Sequence, residues 1–551
     1  MNGDTAIAKI LKAEGVDWLS CFPAQSLISA AAEQGIRPIL CRQERAGVNF
    51  ADGFSRVNNG SKIGVFTMQA GPGAENAFGG VAQAFSDSVP ILLLPGSAPT
   101  TASGIHPGFQ SVDHYKGITK WSGYVSHASR IPDFMRRAFT QLKNGSKGPV
   151  LLEIPQDVQD QEFPDSDFKY EPVKVTKSQA NPADVRDLIK AIVAADSPVI
   201  NAGQGVLYGV ATKELIEFAE LSNIPVMTTL AGKSCFPENH VLSLGAGANS
   251  GTLMVDHFRR KSDLIIGVGT SFTKAPFSTM MPKGTPLAQI TDSPDHINKD
   301  YKIDLGCVGD VKLVLRQMID ELKRQVGEKG ITKSAGVVDE IKSVRDEFYK
   351  EWTPRLTSDE IPLSPYRVFN ELASNVNVAE TIITHDSGYP RDQLVPFWKP
   401  VTPWGYMGWG KSTQLGYGLG LAIGAKIAKP EKQVINIMGD AAFGMAGLDI
   451  ETAVRSKIPI LTVVLNNGVM TNYTSPRPYL EYAAKEWDLH KLGGDYTKIA
   501  EGMGAFSKKV TTPDEIAPAI REAVNANKSG QPALLEMMTK EELNVPKYWG
   551  K

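Results

Sequence analysis

The stretch Val434-Ile435-Asn436-Ile437-Met438-Gly439-Asp440-Ala441-Ala442-Phe443-Gly444 decides the fold of this chain. A largely apolar run closed by glycine reads as a strand buried on both faces of a sheet. Residues from 440 to about 457 follow with a helical pattern. A second apolar run, 460–465, then ends in Asn466-Asn467-Gly468. Strand, helix and strand joined by short turns make a parallel unit of an open α/β sheet. Ligands of such sheets bind beyond the carboxyl ends of the strands. Asp440 and Asn467 occupy two of those ends, so a carboxylate and an amide oxygen share one rim. With a nearby backbone carbonyl, for which Val469 is the candidate, they form a hard oxygen set that suits Mg2+ beside phosphate oxygens. Gly439, Ala441 and Ala442 are small enough for backbone N–H groups to reach a phosphate at the helix N-terminus. Taken alone, Asp440 reads more simply as a helix cap and Asn467 as a turn residue.

The same alternation recurs outward from this unit. Residues 381–384 form another strand candidate, and they lead into His385-Asp386-Ser387-Gly388-Tyr389-Pro390, which by itself is a plain turn into a helix. Earlier in the chain, 64–68, 90–95 and 149–155 are apolar runs bounded by Gly or Pro, and 198–203 and 263–269 repeat the pattern. A polar, Lys-rich stretch at about 165–181 reads as a linker, and 311–351 as charged helix ahead of Pro354 and Pro362. Three open parallel-sheet α/β domains are expected, at 1–165, 182–330 and 360–551. The first and third look alike in their strand-then-glycine pattern, without a strict repeat.

Length and composition agree. The chain has 551 residues, which at roughly 100–200 residues per domain implies three or four domains. Apolar residues are 42% and charged residues 21%, ordinary values for a packed protein rather than a disordered one. Lys and Arg total 58 against 60 Asp and Glu, so no electrostatic footprint for nucleic acid or an anionic membrane surface is present. No apolar window is long enough for a membrane helix, and the start lacks a signal-peptide pattern. Four scattered cysteines without CxxC spacing point to neither disulfides nor zinc, and a cytoplasmic protein is expected. The 51 glycines cluster in short loops.

Three further loops carry candidate chemistry. Glu44 follows the short strand candidate 39–40 and opens a helix that runs through Ala51-Asp52-Gly53-Phe54; alone it reads as favourable charge in a first helical turn. Gln69-Ala70-Gly71-Pro72-Gly73-Ala74-Glu75-Asn76 is a glycine-rich loop that lines a pocket or merely turns. Glycines at 416, 418, 420 and 424 in an apolar helix allow either close helix packing or contact with a ligand.

Taken together these segments resemble the thiamine-diphosphate-dependent decarboxylase superfamily, in its acetolactate synthase-like and 2-hydroxyacyl-CoA lyase-like branch. The resemblance rests on Gly439-Asp440 through Asn466-Asn467, and on Arg42-Gln43-Glu44 followed by Ala51-Asp52-Gly53-Phe54. It extends to Gly71-Pro72-Gly73-Ala74-Glu75-Asn76, Gly108-Phe109-Gln110-Ser111-Val112-Asp113, the run 148–158, Phe236-Pro237-Glu238-Asn239-His240 and Val308-Gly309-Asp310. It implies pyrimidine-binding, central Rossmann-like and diphosphate-binding domains in that order. It also implies thiamine diphosphate and Mg2+ as cofactors, with Asp440, Asn467 and the Val469 carbonyl on the metal. Glu44 would hydrogen-bond the pyrimidine ring, Leu415 would bend the cofactor, and the Thr413 carbonyl would receive the pyrimidine amino group. Gly71, Gly73, Asn76, Gly388, Tyr389, Gly439, Ala441, Ala442 and Met470 complete the implied cofactor contacts.

The implied activity is that of a carboligase or lyase that makes or breaks a carbon–carbon bond beside a carbonyl of a small-molecule substrate. Decarboxylation of a 2-oxo acid or of an acyl-CoA, as in oxalyl-CoA decarboxylases, is the alternative, and a catalytically silent relative is a third. Active sites would lie between subunits of a homodimer or homotetramer. Gln25 and Gln110 are candidate polar groups of the substrate pocket. FAD or ADP/CoA in the central domain stays open, since Gly203-Gln204-Gly205 reads more simply as a degenerate Rossmann turn. The chain departs from relatives in carrying Gln43 where many have His, and Phe22-Pro23-Ala24-Gln25 where Pro-Gly is commoner. It also lacks, in the loop Ser271–Phe277, the arginine expected for flavin contact.

Overall fold

The computed structural model describes residues 1–23, 25–275, 277–332, 336–471 and 478–549. Ala24 and Pro276, in two of the loops read above, lie outside the described residues, as do Gly550 and Lys551 of the tail.

Three sheets of six parallel strands succeed one another along the chain. The first comprises β1 Trp18–Cys21, β2 Arg37–Leu40, β3 Gly64–Met68, β4 Ile91–Pro95, β5 Trp121–Tyr124 and β6 Val150–Glu153, in the order β2-β1-β3-β4-β6-β5. The middle sheet comprises β7 Pro198–Ala202, β8 Val226–Thr229, β9 Ser243–Gly247, β10 Leu264–Val268, β11 Leu287–Thr291 and β12 Leu305–Val308, in the order β12-β11-β10-β7-β8-β9. That is the doubly wound arrangement in which strand order reverses between the first and fourth strands. The third sheet comprises β13 Thr381–His385, β14 Tyr406–Met407, β15 Gln433–Gly439, β16 Leu461–Asn466, β17 Phe506–Val510 and β18 Ala533–Met538. Its order, β14-β13-β15-β16-β18-β17, repeats the plan of the first.

The apolar runs read from sequence are the central strands. Every residue of β3, β4, β7, β10 and β16 is buried, as continuous apolar composition requires of parallel strands covered on both faces. Two helical readings need correction. The stretch after Asp440 is two short helices, Asp440–Ala446 and Ile450–Arg455, joined by a tight turn at Gly447–Asp449. The charged stretch is also two helices, Val311–Val326 and Val337–Leu356; Gly327, at φ 87°, ends the first, and the second continues through Pro354 to Leu356.

The first and third domains meet through the helices Glu44–Val57 and Gly418–Ala428. Glycine makes the approach possible: a Cβ on Gly53 would lie 2.2 Å from the Leu421 carbonyl oxygen, and one on Gly424 2.1 Å from that of Phe50. Gly420 and Gly424 therefore serve helix packing rather than a ligand. Asp52 and Arg56, both buried, form an ion pair beneath this contact. Tyr417 donates its hydroxyl to Asp52 across the domain boundary at 2.9 Å, and Arg56 donates to the Gly408 carbonyl at 3.3 Å. The middle domain joins through Gln204, whose amide donates to the Asp87 carbonyl at 2.6 Å.

Candidate active site

At the carboxyl end of β15, Gly439 leads into Asp440 as the first residue of a helix. The Asp440 carboxylate accepts the N–H of Ala441 at 2.7 Å and that of Gly468 at 2.9 Å, so the two adjacent strand ends are tied together. Burial pushes its pKa above the ordinary carboxylate value, against the pull of these backbone donors. Asn467 donates to the Thr471 hydroxyl at 2.6 Å while its Oδ1 accepts from the Val469 N–H at 3.1 Å. An amide oxygen has two lone pairs, so Asn467 Oδ1 keeps one for a cation. One carboxylate with amide and carbonyl oxygens is a hard set that fits a divalent ion bound jointly with phosphate. Among the described residues no cluster of three or more His, Cys, Asp or Glu offers a rival metal site.

These residues line a cavity of about 100 Å³ together with Gly388, Tyr389, Leu415, Ala441, Ala442, Val469, Met470 and Lys540. Its floor is open to backbone. Gly388 stands at φ 85°, in the left-handed region, with no atom within 4 Å of a Cβ placed on it. A side chain there would meet backbone strain and protrude into the open space. All the lining residues belong to the third domain.

Leu415 is carried on the strap between β14 and the helix Gly418–Ala428. Asp386, fully buried just after β13, accepts from the N–H groups of Ser387 at 2.8 Å, Gly416 at 2.9 Å and Gly418 at 2.9 Å. Burial pushes its carboxyl up to about 6 despite those donors. Ser387 donates its hydroxyl to the Thr413 carbonyl at 3.0 Å. Asp386 and Ser387 read as a plain turn in sequence; their strand-end position was the available signal.

Glu44 lies elsewhere. It opens the helix Glu44–Val57, is buried, and accepts from Asn76 Nδ2 at 3.3 Å. A Cβ on Gly73 would stand 3.5 Å from its carboxylate, so the glycine-rich loop closes over it, whereas Gly71 has open space around it. Its turn is gripped by the third domain of the same chain. The Arg42 N–H donates to Asp449 at 2.9 Å, and Arg455 donates to the Leu40 carbonyl at 2.8 Å. Asp449 is buried, which pushes its carboxyl up to about 6, and nothing in the local sequence marks it.

The two candidate pocket amides are each engaged in hydrogen bonds within the first domain. Gln25 donates to the Met68 carbonyl at 2.6 Å and accepts from Thr67 Oγ1 at 2.8 Å, closing its loop onto the end of β3. Gln110 is bonded to the Ser103 hydroxyl at 2.8 Å. A second, larger cavity of about 420 Å³ lies between all three domains, lined by Lys143, Lys147, Lys177 and Lys411 with Gln204, Tyr208 and Thr279 among others. Among the described residues, Gln204 Oε1, the Tyr208 hydroxyl and Thr279 Oγ1 are buried there without a hydrogen-bond partner.

Fold and site together define an α/β protein of three parallel-sheet domains, with an oxygen-lined cavity at the strand ends of the third and a buried carboxylate on the first. Family models match all three parts: "Thiamine pyrophosphate enzyme, N-terminal TPP binding domain" over residues 1–117, the central domain over 185–318, and the C-terminal TPP binding domain over 386–537. The chain is 33% identical to "Probable acetolactate synthase large subunit" of Methanococcus aeolicus, over 97% of this chain and 92% of that one. It is 32% identical to the protein of the same description from Methanocaldococcus jannaschii, over 98% and 92%. It is also 28% identical to "Glyoxylate carboligase" of Escherichia coli O157:H7, over 95% and 90%. The chain belongs to the thiamine pyrophosphate enzymes, and within them it is an acetolactate synthase-like, thiamine-diphosphate-dependent enzyme. No helix among its described residues is long and apolar enough to cross a membrane.

Proposed function

We propose that this enzyme is a Mg2+-dependent carboligase or lyase that acts on small carbonyl substrates at a site shared between two copies of the chain. The observation that carries this reading is the pairing of Asp440 and Asn467 on adjacent strand ends, in a cavity that also holds Leu415 and the open glycine Gly388. Asp440, Asn467 and the Val469 carbonyl would hold the metal. Backbone at Gly388, Gly439, Ala441 and Ala442, with Tyr389 and Met470 beside it, would hold the diphosphate. Bound thiamine diphosphate supplies a nucleophilic carbon and an electron sink for cleavage or formation of a bond next to a carbonyl. Glu44 then has one task, to hold and exchange a proton at the pyrimidine ring, and Asn76 keeps its carboxylate in place. The Thr413 carbonyl would receive the pyrimidine amino group, and Leu415 would support the ring half of the cofactor from inside the cavity.

A homodimer, or a tetramer built from it, is part of this proposal, because Glu44 and the cradle are assigned to different domains. No first-domain residue lines the cradle, while Phe78 and Phe85 on the helix Pro72–Ser86, and Met445 and Leu448 beyond Asp440, are exposed apolar groups. A partner's Glu44 side would cover Met445 and Leu448, and its third domain would cover Phe78 and Phe85. The interdomain cavity is the proposed seat of an adenine nucleotide, as FAD or as ADP or CoA, on its four lysines and unpartnered polar atoms. Four buried cysteines without disulfides suit the cytoplasm. Incubation with pyruvate, with and without an acceptor aldehyde, tests the reaction. A 2-hydroxy ketone or 2-hydroxy acid product supports ligation, whereas acetaldehyde alone in both arms replaces it with decarboxylation.

A further inference from the structure

The strap that carries Leu415 is pinned by three consecutive residues at the end of β13. The His385 ring stacks on Trp409 with centroids 5.2 Å apart and planes 10° from parallel, and its carbonyl accepts from Trp409 Nε1 at 2.9 Å. Ser387 ties Thr413. Asp386, between them, accepts from Gly416 and Gly418, the residues that flank Tyr417 and follow Leu415. Gly416 itself stands at φ 81°, and a Cβ on it would lie 3.1 Å from Ala446.

We propose that Asp386 is a positioning residue for the cofactor, one that fixes Leu415 through the N–H groups of Gly416 and Gly418 before thiamine diphosphate arrives, while Ser387 ties the Thr413 carbonyl. Charge-assisted bonds to backbone N–H groups are stronger than neutral ones, and a strap that moved away would leave a buried carboxylate without its donors. The strap is thereby ordered in advance, and binding need not supply that ordering. Asp386 makes no bond to Asp440, Asn467 or Gly439; two of its three donors, Gly416 and Gly418, lie on the strap and one, Ser387, lies beside Gly388, so its larger effect falls on the ring half of the ligand. The serine tie uses one lone pair of the Thr413 carbonyl and leaves the other for an amino group. This rests on the thiamine diphosphate reading given above.

The experiment is calorimetric titration of wild type, Asp386→Asn and Gly416→Ala with thiamine diphosphate and, separately, with inorganic pyrophosphate, each with Mg2+. The asparagine amide must turn an NH2 toward backbone donors. The alanine strains the strap at the residue whose N–H Asp386 accepts and leaves the Asp386 side chain unchanged, so it decides the question if Asp386→Asn does not fold. Thiamine diphosphate should bind about tenfold or more weakly in the variants, the size of a lost charge-assisted bond, while pyrophosphate stays within about twofold. Equal weakening of both ligands, or of neither, overturns the positioning role. A wild type that binds pyrophosphate but gains nothing from the thiamine part overturns the cofactor reading and this role with it.

Discussion

The first and third sheets run their strands in one spatial order, second, first, third, fourth, sixth and fifth, yet equivalent strand ends carry different groups. After the second strand the first domain presents Glu44 and the third presents the strap with Leu415. After the third strand the first has the loop to Asn76, and the third has Gly439-Asp440. After the first strand each has a polar side chain that ties neighbouring loops, Gln25 in one and Asp386 in the other. The helices that follow the second strands, Glu44–Val57 and Gly418–Ala428, pack on each other at backbone contact. One scaffold used twice thus presents a buried carboxylate on one rim and an oxygen-lined cavity on the other, to which we assign proton handling and cofactor binding. The middle sheet, with its different order, contributes instead to the interdomain cavity.

That division of labour predicts two different kinds of loss. Glu44→Gln should lower kcat by about 10²–10⁴-fold, as for removal of a general acid–base group, with thiamine diphosphate affinity changed only a few fold. Steady-state kinetics with a parallel binding titration checks both, and undiminished turnover removes Glu44 from the chemistry. Asp440→Ala should act the other way. Its cofactor affinity falls by about 10–100-fold or more, and turnover recovers in part at high Mg2+ and cofactor, which a titration of activity against both would show.

A smaller effect comes from Asp449, which braces the turn before Glu44. Its carboxyl titrates near 6 in the folded chain and near 3.9 when unfolded. Between those values the folded state holds the extra proton, so this group's contribution to stability falls as pH rises from about 4 to about 6 and is level above that. The change amounts to roughly 2–3 kcal/mol at most. Asp449→Asn should flatten that part of the profile of denaturant midpoint against pH, and an unchanged slope would contradict it.

Much of this fold is legible in the chain. Strands such as 64–68, 198–202 and 461–466 are continuous apolar runs because both sheet faces are covered, and Gly439-Asp440 and Asn466-Asn467 fall at the strand ends where the sequence places them. Less legible are β17, with two lysines on a half-exposed edge, and β14, only two residues long, since neither has an apolar run to announce it. Asp386 and Asp449 escape for another reason. An aspartate near a helix start looks the same whether it caps that helix or holds a loop thirty residues on, and the partners Gly416 and Arg42 are supplied by tertiary structure alone. The glycines at 420 and 424 were ambiguous locally; the facing helix, with Gly53, resolves them.

The central claim is that Glu44 of one chain serves the cradle of another, and subunit mixing tests it most directly. Glu44→Gln and Asp440→Ala, each nearly inactive, are combined, allowed to exchange, and assayed at cofactor levels that saturate only an intact cradle. Random exchange makes half the dimers mixed, and each mixed dimer would hold one intact site of two, so about a quarter of wild-type activity should return. If the two groups belonged to one site within a single chain, mixing would restore nothing.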